Sequence, residues 1–425
     1  MNTQILAGES KPIPPLPSRV RAAQGTIICL AACMAVQMTS FVMILPLFAR
    51  RFTELGVGVA VLGVSEMAYA LAATVAAPFM GALSDRVGRR PVLLGSLLVY
   101  ALAFTGYLLA TSAITFIVLR GLAGALTAGM MPAATSMVAD LAPEDRRAQW
   151  IGILSGGASI GWIAGPIFGG LLYDRWGYSI ALLVSIGMAT LAFATALIGI
   201  RETRSRSTRQ AAPSRNSAAK AWLPALRNAL PVRLGPLALV LFTYFGVMFA
   251  WAFIEPRFMF YAYDELGWSS SMLGLVMSTY GVAMMLGEFG LGRLSDTLGR
   301  KPVIVAGLVL FSAQFLGLAL SHNYIVIAAA FVIAGLGNAL FDPALSASIL
   351  DIAPAEHQAR LLGLKSTVGS LGSILGPALV VLLATALQAR GIFLAATASV
   401  CAIILVVALA GRGRNAAAAI ELTES

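Results

Sequence analysis

The sequence predicts an all-α integral membrane protein, with twelve transmembrane helices in two pseudo-symmetric six-helix bundles. Three observations carry that reading. Hydrophobic residues make up 59% of the 425 positions and charged residues 11%, against roughly 45–50% and about 25% in an ordinary soluble domain. Twelve apolar runs approach or exceed the roughly 20 residues needed to cross a bilayer core of about 30 Å as a helix. The two halves of the chain also repeat each other at a constant spacing of 211 residues. With a mean hydropathy of +0.85, the chain lacks the polar side chains to cover a soluble surface, so most of its solvent is lipid. The net charge of +10 does not mark a nucleic-acid-binding protein, because the basic residues do not gather on one water-facing domain.

The apolar runs cover about residues 25–49, 58–80, 91–110, 113–138, 149–173, 178–200, 235–261, 272–292, 302–321, 324–350, 361–387 and 391–411. They lack the two-residue alternation of barrel strands, so each reads as a helix. The first 24 residues are Pro-rich and polar, and lead into a run too long for a signal-peptide core. With no small-residue cleavage site, the first span is expected to be retained. Lysine and arginine then set the orientation. With the N-terminus inside, 23 of the 29 lie on cytoplasmic segments, Lys365 among them. Five (Arg50, Arg51, Arg175, Arg257 and Arg390) lie outside, and Arg120 lies within a span. Both termini are therefore expected in the cytoplasm. Cys29, Cys33 and Cys401 sit in apolar runs, and only two histidines, His322 and His357, are present. Neither a disulfide framework nor a metal site is expected.

The repeat is the strongest internal feature. G-A-L-S-D-R-V-G-R-R-P at 81–91 returns as G-R-L-S-D-T-L-G-R-K-P at 292–302. Asp140 and Ala142-Pro143 return as Asp351 and Ala353-Pro354, and Gly161-x3-Gly165-Pro166 returns as Gly372-x3-Gly376-Pro377. The expected organisation is a tail (1–24), a first bundle (25–200), a basic cytoplasmic linker (201–234), a second bundle (235–411) and a second tail (412–425).

G-x-L-x-D-R-x-G-R-R between spans two and three, with a degenerate copy between spans eight and nine, resembles the identifying motif of the major facilitator superfamily. The resemblance covers nearly all of residues 25–411. Gly161, Gly165, Pro166, Gly169 and Gly170 in span five resemble the antiporter motif of that superfamily's drug:proton antiporters. Arg120 in span four, followed by Gly121 and Gly124, matches a further motif of the twelve-span drug exporters. Together the last two point to export.

Positive-inside anchoring alone accounts for Arg86, Arg89 and Arg90, but it requires neither an aspartate nor flanking Gly81 and Gly88. The resemblance implies that Asp85, Arg89 and Asp140 form a charge cluster against the start of span eleven, latching the outward-open state. It implies a mirror cluster of Asp296, Arg300 and Asp351. Gly161, Gly165 and Gly169 recur every four residues on one helix face, which permits close backbone approach in a membrane. Span eight offers a glycine strip to match (Gly281, Gly287, Gly290, Gly292), so a tight seam between the halves is expected. The second copy has Leu379-Val380 near the Gly169 position, so the two seams are expected to differ.

An ionisable residue at mid-bilayer costs about 2.5–3.5 kcal/mol on insertion scales and needs a reason. Arg120, Glu66, Glu288 and Asp342 each face an apolar residue at the repeat position, namely Phe331, Met277, Ala77 and Met131; Glu255 faces Ile44 or Leu45. Repeated residues serve shared architecture, so these unrepeated ones are the candidates for function. Glu255 and Asp342, each just before a proline, match in span and character the acids that the family's multidrug members use for proton coupling and cation binding. Resemblance assigns Arg120 to proton coupling as well. Glu66 is a further candidate, whereas Glu288 either snorkels, pairs with a motif arginine or contributes to function.

Gln37, Met38 and Phe41 of span one, Tyr244, Phe245, Phe249 and Trp251 of span seven and Phe341 of span ten are candidate cavity residues. Aromatic and methionine walls with scattered acids suit lipophilic, often cationic compounds. Tetracycline-type exporters carry aspartates in spans one and three, and here those spans have none. No Walker lysine loop, G-x-S-x-G elbow or metal cluster is visible, so no enzyme activity and no cofactor are expected, and an ion gradient is the energy source. The expectation is a monomeric, proton-coupled exporter of lipophilic drugs in a bacterial inner membrane, with the substrate, protons and lipid as its partners. A dedicated exporter of one metabolite, sugar or lipid is the alternative, and a non-transporting receptor the remote one.

Overall fold

The computed structural model describes residues 18–143, 146–203, 234–291, 294–354, 357–384 and 386–410. Lys11, Glu144, Gly292, Ala355, the linker from 204 to 233 and the tail from 411 lie outside the described residues. Spans one to four are Ser18–Glu54, Val59–Val87, Arg89–Leu109 and Ala113–Leu141. Spans five and six lie in one helical stretch, Arg147–Gly199, broken at Gly177, where φ is 78°. Spans seven to twelve are Leu234–Phe260, Ser270–Leu291, Arg300–Leu320, Tyr324–Ile352, Gln358–Leu383 and Ala389–Leu409. A π-turn, Tyr261–Glu265, extends span seven.

Several helices outrun their apolar cores, spans one and two running on to the turns at Gly56 and Gly88. Four of the five positive-φ breaks obey the repeat, and the fifth, Gly177, has Gln388 with φ −67° at the corresponding position. Gly88 (φ 117°) and Gly299 (φ 87°) stand 211 residues apart at the motif turns, and Gly56 (φ 72°) and Gly267 (φ 66°) stand 211 apart at the opposite end. A backbone in this left-handed region strains any side chain, which is why glycine holds both turns of each pair. Ile114, Val118, Leu122 and Leu126 of span four, one per helical turn, are all exposed. In water such a stripe would be a liability; in a bilayer it is the lipid face.

The two halves meet along two seams. Span five lies on span eight, where a Cβ on Gly274 would run into the Pro166 carbonyl oxygen. Span eleven lies on span two, where a Cβ on Gly63 would sit 3.2 Å from the Pro377 carbonyl oxygen. Gly63 and Gly274 are 211 apart, as are Pro166 and Pro377, so the seams share one plan where the sequence suggested two. They differ in one register: Gly170 packs on the backbone of Ser270, whereas Val381 fills the corresponding place beside Gly63.

The end carrying the Gly56 and Gly267 turns, here called the far end, is closed. The Arg50 guanidinium lies 4.0 Å over the Tyr263 ring and donates to the Trp268 carbonyl at 2.9 Å. The Tyr263 hydroxyl donates to the Pro46 carbonyl at 3.1 Å. Asp174 accepts from the amides of Ser270 and Ser271 at 2.9 and 2.8 Å, placing a carboxylate of the first half on the N-terminus of span eight. Towards the motif end the helices part. Positions Gly81, Gly152, Gly156, Gly290 and Gly363 all have open space where a Cβ would sit.

Candidate functional site

Charge gathers at two places between the seams. In the first, Arg120 is 1% exposed and donates through Nη2 to Glu66 of span two. Its guanidinium lies 4.5 Å over the Tyr69 ring and 5.1 Å from the Phe48 ring. Tyr69 is itself fixed by a 3.1 Å hydrogen bond to the Tyr100 hydroxyl and by stacking with Phe41 at 5.7 Å. Glu255 of span seven lies within the electrostatic reach of both Glu66 and Arg120. A rise of 1.5 Å per residue puts Arg120 and Glu66 roughly 10 Å, and Glu255 roughly 8 Å, from the far ends of their α-helices, so similar depth brings them together. One permanent cation therefore faces two carboxylates, one from each half of the molecule.

The second place was not visible to sequence reasoning. Lys365, counted among the cytoplasmic basic residues, is inside span eleven with its side chain 7% exposed. Its ammonium donates to Asp342 Oδ1 at 2.5 Å and to Ser346 Oγ at 2.7 Å, and lies 4.2 Å from the Tyr244 ring centroid. Charge counting missed it because it stands only a few residues inside the span boundary. The repeat held the signal, since the residue 211 before it is Leu154. Asp342 thus has a base of its own, and Glu255 and Asp342 belong to different clusters. Glu288, for which snorkelling, pairing with a motif arginine and a functional part were all open, faces Asp342 electrostatically.

The motif loops are ordered by ion pairs. Arg89 binds Asp140 and the Ser136 carbonyl. Asp85 and Arg86 are exposed at the end of span two. Glu202, also unforeseen, accepts from the Arg89 and Arg90 amides at 3.1 and 3.2 Å, so a carboxylate sits on the first turn of span three. In the second half Arg300 joins Asp351 at 2.9 Å and also Asp296.

Two expectations need correction. The glycine face of the antiporter motif does not pack on span eight: Gly161, Gly165 and Gly169 lie against Met38, Thr39 and Met43 of span one, within the first half. Towards span eight, Gly170 packs on Ser270 and Ser271, the Pro166 carbonyl meets Gly274, and Ile163 with the Trp162 carbonyl meets Gly281, while Gly287 packs on span ten. Helix periodicity marked the right face, but span one of the same half took it. Phe341 is also not a cavity residue; it is fully buried, 5.3 Å from Phe311 in the packing of spans nine and ten. Of the other cavity candidates, Gln37 is 0% exposed with both amide atoms unpaired, and Met38 fills the Gly161 contact. Trp251 stacks on Tyr280 at 6.1 Å, and Phe245 and Phe249 stack at 6.1 Å.

A profile of the Major Facilitator Superfamily matches residues 27–263 and 240–422. The chain is 29% identical to the class B tetracycline resistance protein of Escherichia coli over 75% of its own length and 77% of that protein's. It is 28% identical to the multidrug resistance protein MdtG of Proteus mirabilis (strain HI4320), over 76% and 79%. Among solved structures, a bacterial homologue of the human lysosomal transporter Spinster, inward-facing and unoccupied, superposes with a TM-score of 0.72 at 16% identity, covering 92% of this chain and 95% of the other. The human organic anion transporter MFSD10 superposes with a TM-score of 0.67 at 20% identity, covering 92% and 100%.

Proposed function

The chain belongs to the Major Facilitator Superfamily, and on that premise we propose that it is a proton-driven exporter of lipophilic drugs that bring a positively charged group. The observation that carries the reading is the trio of Arg120, Glu66 and Glu255. With both carboxylates ionised the trio has one negative charge in excess, and one proton or one cation cancels it. A site that neutralises with either, but not both, exchanges them: the drug arrives when the proton has left, and the proton expels the drug. The similarity to tetracycline and multidrug resistance proteins supports drugs as the cargo.

The excess of lysine and arginine on the motif side supports placing that end, and both termini, in the cytoplasm of a bacterial cell. The closed Arg50–Tyr263 end then faces outward, and the molecule is open to the cytoplasm. In the opposite state the motif end closes, with Asp85, Arg89 and Asp140 meeting the start of span eleven. The two bundles, 25–200 and 235–411, rock about the Gly63 and Gly274 seams, and the proton gradient drives the cycle without a cofactor.

The test is drug accumulation in everted membrane vesicles, driven by an imposed proton gradient. Uptake of a lipophilic cationic dye that collapses with a protonophore is expected. Gradient-independent uptake, or none for any of a broad panel of dyes and antibiotics, overturns the proposal.

A further inference from the structure

The pair on the second-half wall has no counterpart in the repeat and no part in the proton exchange described above. It joins two spans, ten and eleven, and its two members are unequally accessible: Asp342 is 41% exposed and Lys365 7%. All three directions of the ammonium are taken, by Asp342, Ser346 and the Tyr244 ring. The other groups facing Asp342 are Glu288 and Tyr280 of span eight. Tyr280 is anchored by Asn338 at 2.7 Å, and Glu288 is exposed. Spans seven, eight, ten and eleven therefore converge on one balanced acid–base pair whose acid is presented first.

We propose that Lys365 and Asp342 form a substrate subsite that selects amphoteric compounds, carrying both a cationic and an anionic group, over monocations of the same shape. The inference rests on the exporter reading and narrows its substrate class. An ion pair in a poorly solvated wall opens at low cost only to a ligand that re-pairs both members. A zwitterion does so, giving its cation to Asp342 and its anion to Lys365. A monocation that takes Asp342 strips Lys365 of its counter-charge and leaves it with a hydroxyl and an aromatic ring. A monoanion that takes Lys365 leaves Asp342 in the same position. Balanced charge within the pair is thus a filter for balanced charge on the ligand; Glu288 stands exposed beside it, outside the pair, and the excess negative charge of the Arg120 trio plays no part.

The experiment is equilibrium binding of two dyes to the purified full-length protein in detergent, read by fluorescence polarisation. One dye is a carboxyl-rhodamine, zwitterionic at neutral pH; the other is its methyl ester, a monocation with the same ring system. Lys365→Met should shift the ratio of the two dissociation constants towards the ester by about tenfold, the size expected when one partner of a half-exposed pair loses its counter-charge. Lys365→Arg should keep the wild-type ratio, and Glu288→Gln should leave it unmoved. The double variant Lys365→Met/Asp342→Asn removes both charges at once and should bring the ratio close to one, which keeps the test open if the single variant is not recovered folded. An unchanged ratio in Lys365→Met, or in the double variant, overturns the proposal while leaving the exporter reading intact. If the wild-type protein binds neither dye saturably, the subsite proposal falls, and the exporter reading stands or falls with the vesicle uptake panel.

Discussion

One charge centre, Arg120 and Glu66 of the first half with Glu255 of the second, has one acid too many; the other, Asp342 with Lys365, lies within the second half and balances. The scaffold around them is duplicated down to two pairs of positive-φ glycines, Gly56 with Gly267 and Gly88 with Gly299, so the contrast is not inherited from the architecture. It has a position as well as a sign. The trio lies roughly 8–10 Å from the closed far end, whereas Asp342 stands ten residues, roughly 15 Å, from the motif-end terminus of its helix at Ile352. On the two proposals above, the unbalanced centre deep in the path exchanges ions and the balanced centre nearer the open mouth discriminates among the compounds that reach it, so proton coupling and substrate choice should be separable by mutation.

The largest expected effect comes from removing the base of the trio. Arg120→Ala leaves Glu66 and Glu255 facing each other without a cation, and breaking a buried pair in this way costs about 3–5 kcal/mol. Proton-driven uptake in everted vesicles should fall at least about a hundredfold, and Arg120→Lys should restore little of it, since a point charge cannot lie as a plane over Tyr69. Normal uptake by Arg120→Ala in protein of wild-type yield would reduce the residue to a packing role and erase the contrast. The next experiment divides the two centres directly. Glu255→Gln should abolish drug-induced proton release from the purified protein while allowing downhill drug movement. Asp342→Asn should weaken drug binding by about tenfold yet release as many protons per bound drug as the wild type. Equal loss of release in both variants would merge the centres into one.

How far the sequence foretells this arrangement depends on the kind of signal. Apolar run length and the 211-residue repeat fix the helices and the two halves, because in a bilayer the backbone has no alternative to helix. Unrepeated charges mark the site: Arg120, Glu66, Glu255 and Asp342 all stand out by subtraction. What escapes is pairing. Helix rise alone places Glu255 at a similar depth to Glu66 and Arg120, but nothing along one chain says which faces of spans two, four and seven converge. Lys365 was hidden by its nearness to a span boundary, where a lysine ordinarily marks topology. Glu202 was hidden by lying at the start of a linker, and the glycine face of span five carried no label saying which neighbour it receives.

A smaller effect should distinguish the two seams. At Gly274 an added methyl would collide with the Pro166 carbonyl, which is backbone and cannot swing aside. At Gly63 the nearest atoms are Val381 Cγ2 at 3.0 Å and the Pro377 oxygen at 3.2 Å, and a valine side chain can yield by a few tenths of an ångström. Gly274→Ala should therefore lower thermal stability in detergent and slow transport severalfold, at about 1–3 kcal/mol for overpacking. Gly63→Ala should stay close to wild type. The opposite ranking would mean that the span two–span eleven seam carries the rocking motion.

The smallest effect concerns two neighbouring arginines at the far end. Arg50 crosses the halves, stacking on Tyr263 and donating to Trp268. Arg51 stays within the first half, donating to the Ala110 carbonyl at 2.9 Å and to Glu54 at 2.9 Å. Only the first holds the far end shut, although the two side chains are adjacent in sequence and identical in charge. The Tyr263 hydroxyl adds one neutral hydrogen bond, to Pro46, worth about 0.5–1.5 kcal/mol, so Tyr263→Phe should raise the far-end-open population by roughly two- to tenfold. Arg50→Ala, which removes both the stacked cation and a hydrogen bond, should raise it further, and Arg51→Ala should not raise it at all. Spin labels on cysteines at the exposed positions Thr53 and Asp264, in a background without the three native cysteines, measure the distance across that end. Growth of a longer-distance peak in Tyr263→Phe and Arg50→Ala, absent in Arg51→Ala, is the expected result. If the two arginine variants give the same distribution, the far end is held by the Asp174 carboxylate on the span-eight terminus instead, and Asp174→Asn becomes the variant that opens it.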